Sequence, residues 1–221
     1  LRGLVGSEMC IRDRLSTVAY RIDGKPSYAL EGSIFVAGVA IQWLRDQLGL
    51  IEHAADTAEA FARTQGETHG VYVVPAFTGL GAPYWQPQAR GLITGLTLDS
   101  DKDHLITAFL QSVAYQTRSL LDAMAADGAP VTTRRVDGGM VVNEAFCQFL
   151  CDVLDVPVQR PADVETTVRG AGVLAAIGAG LFADLQEAAA LWRLGADFVP
   201  TMPMAKRQAL LAGYARAVAQ T

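Results

Sequence analysis

Residues 135–154 read RVDGGMVVNEAFCQFLCDVL, and the structure this stretch adopts decides the fold. A short β-prone run ends at Val136 and two glycines, Gly138 and Gly139, turn the chain. From Asn143 onward, Phe146, Leu150, Val153 and Leu154 recur at the spacing of one helix face. Glycine permits positive φ and leaves bare backbone, so such a corner at a helix N-terminus can receive a ribose or a phosphate, whose charge the helix dipole favours. The same residues also suit a tight turn followed by an ordinary N-cap, with Asn143 contributing ~1 kcal/mol to the helix. On the residues alone both readings stand, and the cap is the commoner use of such a corner.

Outward from this corner the chain alternates strand and helix: TRRV, NEAFCQFLCDVL, VPVQRP, then TTVRGAGVLAAIGAGLF and further helices near 184–194 and 204–219. Upstream, LSTVAYRIDGKPSYAL (15–30) reads as a hairpin turning at Asp23-Gly24. SIFVAGVAIQWLRDQLG (33–49) reads as a helix capped by Ser33, and DTAEAFARTQ (56–65) as a short one. VYVVPAF and GLITGLT are short strands flanking TGLGAPYWQPQAR (78–90), a loop too rich in glycine, proline and aromatics to be a linker. The longest helix runs from DHLITAF, with Asp103 as its expected cap, to about residue 128. Strands alternating with crossover-length helices imply an α/β layer architecture with at least partly parallel pairing.

Gly38 stands out because it falls inside a helical pattern, where glycine costs ~1 kcal/mol against alanine. Gln42 lies one turn on, so a ligand over Gly38 could meet its amide; close helix packing over a small residue would explain Gly38 equally well. GAGVLA (170–175) matches G-x-G-x-x-A but neither opens from a strand nor leads to a second one, which rules out a dinucleotide fold; its glycines would let the helix approach a sheet or a nucleotide. Cys147 and Cys151, one turn apart on the apolar face, read as two buried thiols. His53, His69 and His104 are scattered singly, so no metal is assigned to protein ligands and no disulfide is expected.

With an apolar share of 51% over 221 residues, a sizeable core is affordable, and a net charge of -5 without a basic stripe argues against nucleic acid and membrane partners. No apolar run reaches the ~18 residues a bilayer span needs, since Gln42, Arg45, Arg118 and Arg169 break the candidates. A cytoplasmic setting is the simplest expectation. LRGLVGSEMCIRDR (1–14) shows neither periodicity nor a signal peptide's apolar core and resembles translated adaptor sequence. It is expected to be non-native, leaving 15–221 as one domain.

Taken together, ALEGSIFVAGVAIQWLRD, GVYVVPAFTGLGAPYWQPQARGLITGLT, SVAYQTRSLLDAM and RVDGGMVVNEAFCQFLCDVL resemble the carboxyl-terminal half of the FGGY carbohydrate kinases, and within them the glycerol kinases. The resemblance runs from about residue 15 to the end. It implies a ribonuclease-H-like domain of the actin/Hsp70 superfamily, a mixed sheet with helices on both faces that is incomplete at its N-terminus and closes over an amino-terminal partner domain. It further implies ATP and Mg²⁺ as cofactors and phosphorylation of glycerol to glycerol 3-phosphate, with a homo-oligomer at full length. By the same resemblance the nucleotide contacts fall on Gly38 and Gln42 of the A-G-x-x-I-Q-W segment, and on Gly139 and Asn143 of the D-G-G-x-x-x-N corner. The catalytic aspartate and the polyol-gripping residues are expected upstream of residue 15. Met140 and Glu144 depart from the small or amide residues usual there. A pentulose or gluconate kinase, or a non-catalytic actin-like nucleotide-binding module, would share these features.

Overall fold

The computed structural model describes residues 15–126 and 134–221; the segment 1–14, read above as foreign, and residues 127–133, which include the expected end of the long helix and the first residue of TRRV, lie outside the described residues. The hairpin is present as β1 (Leu15–Ile22) and β2 (Lys25–Glu31), with Asp23 at φ 49° and Gly24 at φ 75°. Positive φ at both turn positions matches the twist of the flanking strands, which is why Asp-Gly is chosen there. A bulge between Val18 and Tyr20 shifts the register.

Next come α1 (Gly38–Asp46) and α2 (Asp56–Thr64), then β3 (Tyr72–Val74) and β4 (Leu92–Thr94), which pair antiparallel around the 78–90 loop. The long helix α3 spans Lys102–Ala126. After it, β5 (Arg134–Arg135), a 3₁₀ turn (Gly139–Val142), α4 (Glu144–Leu154), β6 (Val158–Pro161), α5 (Thr166–Gly178), α6 (Leu185–Ala189), β7 (Leu194–Phe198) and α7 (Met204–Val218) complete the chain. β6 runs parallel to β5 and antiparallel to β7. The mixed pairing expected from the sequence is thus confined to this three-stranded sheet, and among the described residues the strands form three separate small sheets.

Three expectations are corrected. Ser33 does not cap a helix: residues 33–37 are non-helical, bending at 35–37, and α1 starts at Gly38. The Ser33 carbonyl and the Phe35 ring sit against Gly81, and Phe35 packs edge-on to Trp85 at 6.4 Å, so contacts with the 78–90 loop hold this segment out of the helix. Gly38 is therefore the first residue of its helix, where the penalty for an interior glycine does not apply in full. The cap of α3 is Asp101, whose Oδ1 accepts from the N–H groups of Asp103 (2.9 Å) and His104 (3.0 Å); Asp103 instead pairs with Arg63 at 2.6 Å. Third, 194–198 is strand β7, where only a helix ending near 194 was expected.

The core gathers on α3. Ile106, Phe109, Leu110, Val113 and Tyr115 are almost inaccessible, and they meet Ile41 and Leu44 of α1, Phe61 of α2, Val73 and Val74 of β3, Phe149 and Leu150 of α4, and Tyr214 of α7. Each such side chain contributes about 1.5–3 kcal/mol by leaving water. Aromatic contacts tie the layers: Trp43 lies 4.8 Å from Phe77 and 5.7 Å from Phe109, and Tyr115 stacks on Tyr214 at 4.9 Å. Most polar groups inside are partnered, as burial requires; the exceptions among the described residues are Arg134 Nε and Nη1, Asn143 Nδ2 and the Tyr214 hydroxyl. Gln111 donates to the Gly66 carbonyl at 2.7 Å and accepts from the Tyr115 hydroxyl at 3.2 Å.

Candidate functional site

The corner at 137–143 is built as its residue types suggest. Gly138 takes φ 84°, a conformation that favours glycine, and begins the 3₁₀ turn. Asn143 then leaves that turn with extended φ and ψ (−73°, 104°) and its Oδ1 accepts from the Phe146 N–H at 3.1 Å, so it is the N-cap of α4. The cap reading is correct, yet it uses only half of the amide. Asn143 Nδ2 is buried and has no hydrogen-bond partner. A buried donor without a partner costs about 1–3 kcal/mol, and an acceptor on a bound molecule would recover that.

The glycines beside it are open. A side chain built on Gly138 or Gly139 would meet nothing within 4 Å. The same test at Gly38 finds only the Met140 sulfur, at 4.0 Å. That one contact joins the two segments: the start of α1 lies against the residue next to Gly139. The Ala37 position before α1 offers no side-chain cap, unlike Asn143 before α4 and Asp184 before α6. The first N–H groups of α1 thus have no capping side chain, at the positive end of the helix dipole. Gln42 sits one turn along α1 and is exposed. Gly38, Gly139 and Asn143 are brought to one region of the molecule, with Gln42 following on the α1 surface.

Sequence reasoning missed the braces of this corner. Its start is held by the Gly138 N–H, which donates to the Val164 carbonyl at 3.2 Å, and by Thr166, whose hydroxyl donates to the Asp137 carboxylate. Its end is held by Arg160 of β6, which donates to the carbonyls of Val141 and Val142. An arginine inside a strand was the only signal. The buried thiols are as expected: Cys147 donates to the Val141 carbonyl at 3.2 Å, and Cys151 to those of Val156 and Phe198. Burial pushes both thiols up to about 11. The glycines of GAGVLA do not let α5 close onto the sheet, since Gly170 and Gly172 face open space and no α5 residue is buried.

A cavity of about 480 Å³ lies elsewhere, between Gly49–Glu52, the length of α2 and the start of α3. Its Asp56 caps the 52–53 backbone and its Arg63 pairs with Asp103 and Glu59. Asp56, Glu59, Arg63 and Asp103 are thereby partnered, and among the described residues no buried unpartnered side-chain atom lines this cavity, so the open corner is the better candidate. Among the described residues no three His, Cys, Asp or Glu side chains gather to hold a metal ion, and no helix is long and apolar enough to cross a membrane.

Residues 3–179 match the C-terminal domain of the FGGY family of carbohydrate kinases. Over 204 residues, 92% of this chain and 41% of the relative, the sequence is 55% identical to glycerol kinase 1 of Pseudomonas aeruginosa. Over 207 residues, 93% of this chain and 41% of the relative, it is 56% identical to the glycerol kinase of Alcanivorax borkumensis. The crystal structure of Plasmodium falciparum glycerol kinase with ADP superposes with a TM-score of 0.85 at 32% identity, covering 96% of this chain and 42% of that one. The gluconate kinase of Lactobacillus acidophilus, with a TM-score of 0.75 at 20% identity over 92% of this chain and 41% of that one, shares the fold. The chain spans about two-fifths of the length of the curated relatives it matches.

Proposed function

This chain belongs to the FGGY family of carbohydrate kinases, as its carboxyl-terminal domain, and on that premise we propose that it is the nucleotide-binding half of an enzyme that phosphorylates glycerol with ATP to give glycerol 3-phosphate. The observation that carries the reading is the corner itself: two open glycines, an uncapped helix start beside them, and a buried amide donor with no partner. Bare backbone at Gly139 admits a ribose or phosphate that a Cβ would exclude. Asn143 Nδ2 supplies a directed donor, and its Oδ1 is held by the cap, so the amide cannot swing away. Gly38 and Gln42 flank the same seat from α1. The 55% identity to glycerol kinases, against 20% to a gluconate kinase, favours glycerol over the sugar acid. Mg²⁺ would come with the nucleotide phosphates, since among the described residues no cluster of His, Cys, Asp or Glu side chains offers a ligand set for it.

In this reading the residues of the present chain bind and orient the nucleotide, while the aspartate base and the polyol contacts come from the amino-terminal part of the polypeptide. Positioning alone removes a large share of the barrier in phosphoryl transfer, where the protein makes little covalent contribution. Residues 15–221 by themselves are thus expected to bind ADP without phosphorylating glycerol. A cytoplasmic homo-oligomer with only small-molecule substrates is the setting that goes with this activity. The test is calorimetric titration of the intact polypeptide with ADP, beside glycerol-dependent ATP turnover, in the wild type and in Asn143→Asp. Turnover with gluconate or xylulose in preference to glycerol would overturn the substrate, and unchanged ADP affinity in Asn143→Asp would overturn the site.

A further inference from the structure

The nucleotide seat depends on a backbone corner, and a corner is only as well placed as whatever holds its peptide planes. Arg160 projects from β6 with its side chain 16% exposed. Its Nη1 donates to the Val141 carbonyl at 2.9 Å and to the Val142 carbonyl at 3.3 Å, and its Nη2 donates to Glu144 Oε1 at 2.9 Å. The guanidinium lies 5.8 Å from the Phe198 ring centroid, so β7 supports the arm from beneath. These partners bracket Asn143: Val141 and Val142 precede it and Glu144 follows it. A planar fork with several donors suits this array, and a lysine ammonium does not reproduce it. Cys147 also donates to the Val141 carbonyl, so two donors, one from β6 and one from α4, fix that peptide plane.

We propose that Arg160 is a positioning residue for nucleotide binding: it fixes the 141–144 backbone so that Gly139 stays open and the free Asn143 donor stays aimed, without touching the nucleotide. The inference rests on the reading of the corner as the nucleotide seat. A misplacement of about 1 Å in such an element is enough to weaken function about a hundredfold. In the intact polypeptide, Arg160→Met is expected to raise the Kd for ADP and the KM for ATP about ten- to a hundredfold, with the KM for glycerol within about twofold of wild type. Arg160→Lys should recover part of the loss. Glu144→Gln, which leaves both carbonyl contacts in place, should change the ADP affinity less than about threefold.

A structural role alone would lower the melting temperature and the active fraction but leave both nucleotide constants unchanged, and that outcome in Arg160→Met overturns the proposal. Should Arg160→Met not fold, Arg160→Lys decides the question by the same constants. Asn143→Asp, measured in parallel, separates the two ideas. A loss of affinity in Asn143→Asp with none in the Arg160 variants sinks the positioning role alone; no loss in either sinks the seat as well.

Discussion

Asn143 carries two tasks on one amide, and they can be separated by substitution. Asn143→Ala removes the cap and should lower stability by about 1 kcal/mol in a urea melt. Asn143→Asp keeps an acceptor for the Phe146 N–H and so keeps the helix start, but loses the Nδ2 donor; stability is expected to hold while ADP affinity falls. Gly139→Val probes the neighbouring backbone. A Cβ at this position meets nothing within 4 Å in the free protein, so the melting temperature should change little while nucleotide affinity drops at least about tenfold, the bulk now standing where the ligand must approach. Cys147 and Cys151 report on pH. Burial favours their protonated form and raises both from an ordinary 9.0 to about 11. Stability is therefore intact below about pH 9 and is lost as pH rises towards 11, where the unfolded chain would already have released its thiol protons. Thermal melts from pH 7 to 10.5 should show this decline, shallower in a Cys147→Ala/Cys151→Ala double variant, and a neutral-pH thiol reagent should leave both groups unlabelled in the folded protein.

At the level of elements, α4 was legible because its signals agree: an Asn cap, an apolar face at 3.6 spacing, and a strand before it. The β1–β2 hairpin was legible from alternating β-formers on either side of the Asp23-Gly24-Lys25-Pro26 turn cluster. The start of α1 was not, since the sequence from Ser33 carries helical spacing while packing of Phe35 against Trp85, and of Ser33 and Phe35 against Gly81, keeps 33–37 out of the helix. β7 was missed for the opposite reason: LGADF has weak strand preference and is a strand because β6 offers it an edge. The Asp101 cap was displaced by a nearer-looking Asp103. Of the site, the residue types at Gly138, Gly139 and Asn143 were readable, whereas the bracing contacts of Arg160 and Asp137 run across the fold, and an arginine inside a strand was their only local signal. Packing between elements makes a prediction of its own. Gly213 of α7 lies against the Tyr72 phenol of β3, leaving no room for a methyl group, so Gly213→Ala should cost about 1–3 kcal/mol. Gly170→Ala in α5, where the added methyl meets open space, should instead stabilise by about 0.5–1 kcal/mol. Denaturant midpoints decide both.

Across the whole molecule, apolar surface is unevenly covered. In α5 no residue is buried, with Val168 70% exposed and Leu174 44%. The β1–β2 ribbon packs chiefly on itself and exposes the cross-strand pair Val18 and Tyr28. Such surface favours association, and residues 15–221 expressed alone are expected to sediment as a concentration-dependent mixture of sizes; a single monomeric boundary across concentrations would contradict this. The opposite condition holds at the centre. Every residue of α3 from Ile106 to Gln116 is buried, because α1, α2, α4, α7 and β3 surround that stretch. A rod sheathed on all sides has no solvent-facing flank from which to fray, so its amides can release deuterons only when the entire domain comes apart. The exchange rate measured there would therefore be a direct gauge of global unfolding, and tightening the nucleotide corner some distance away should slow it in step with the ligand's binding free energy.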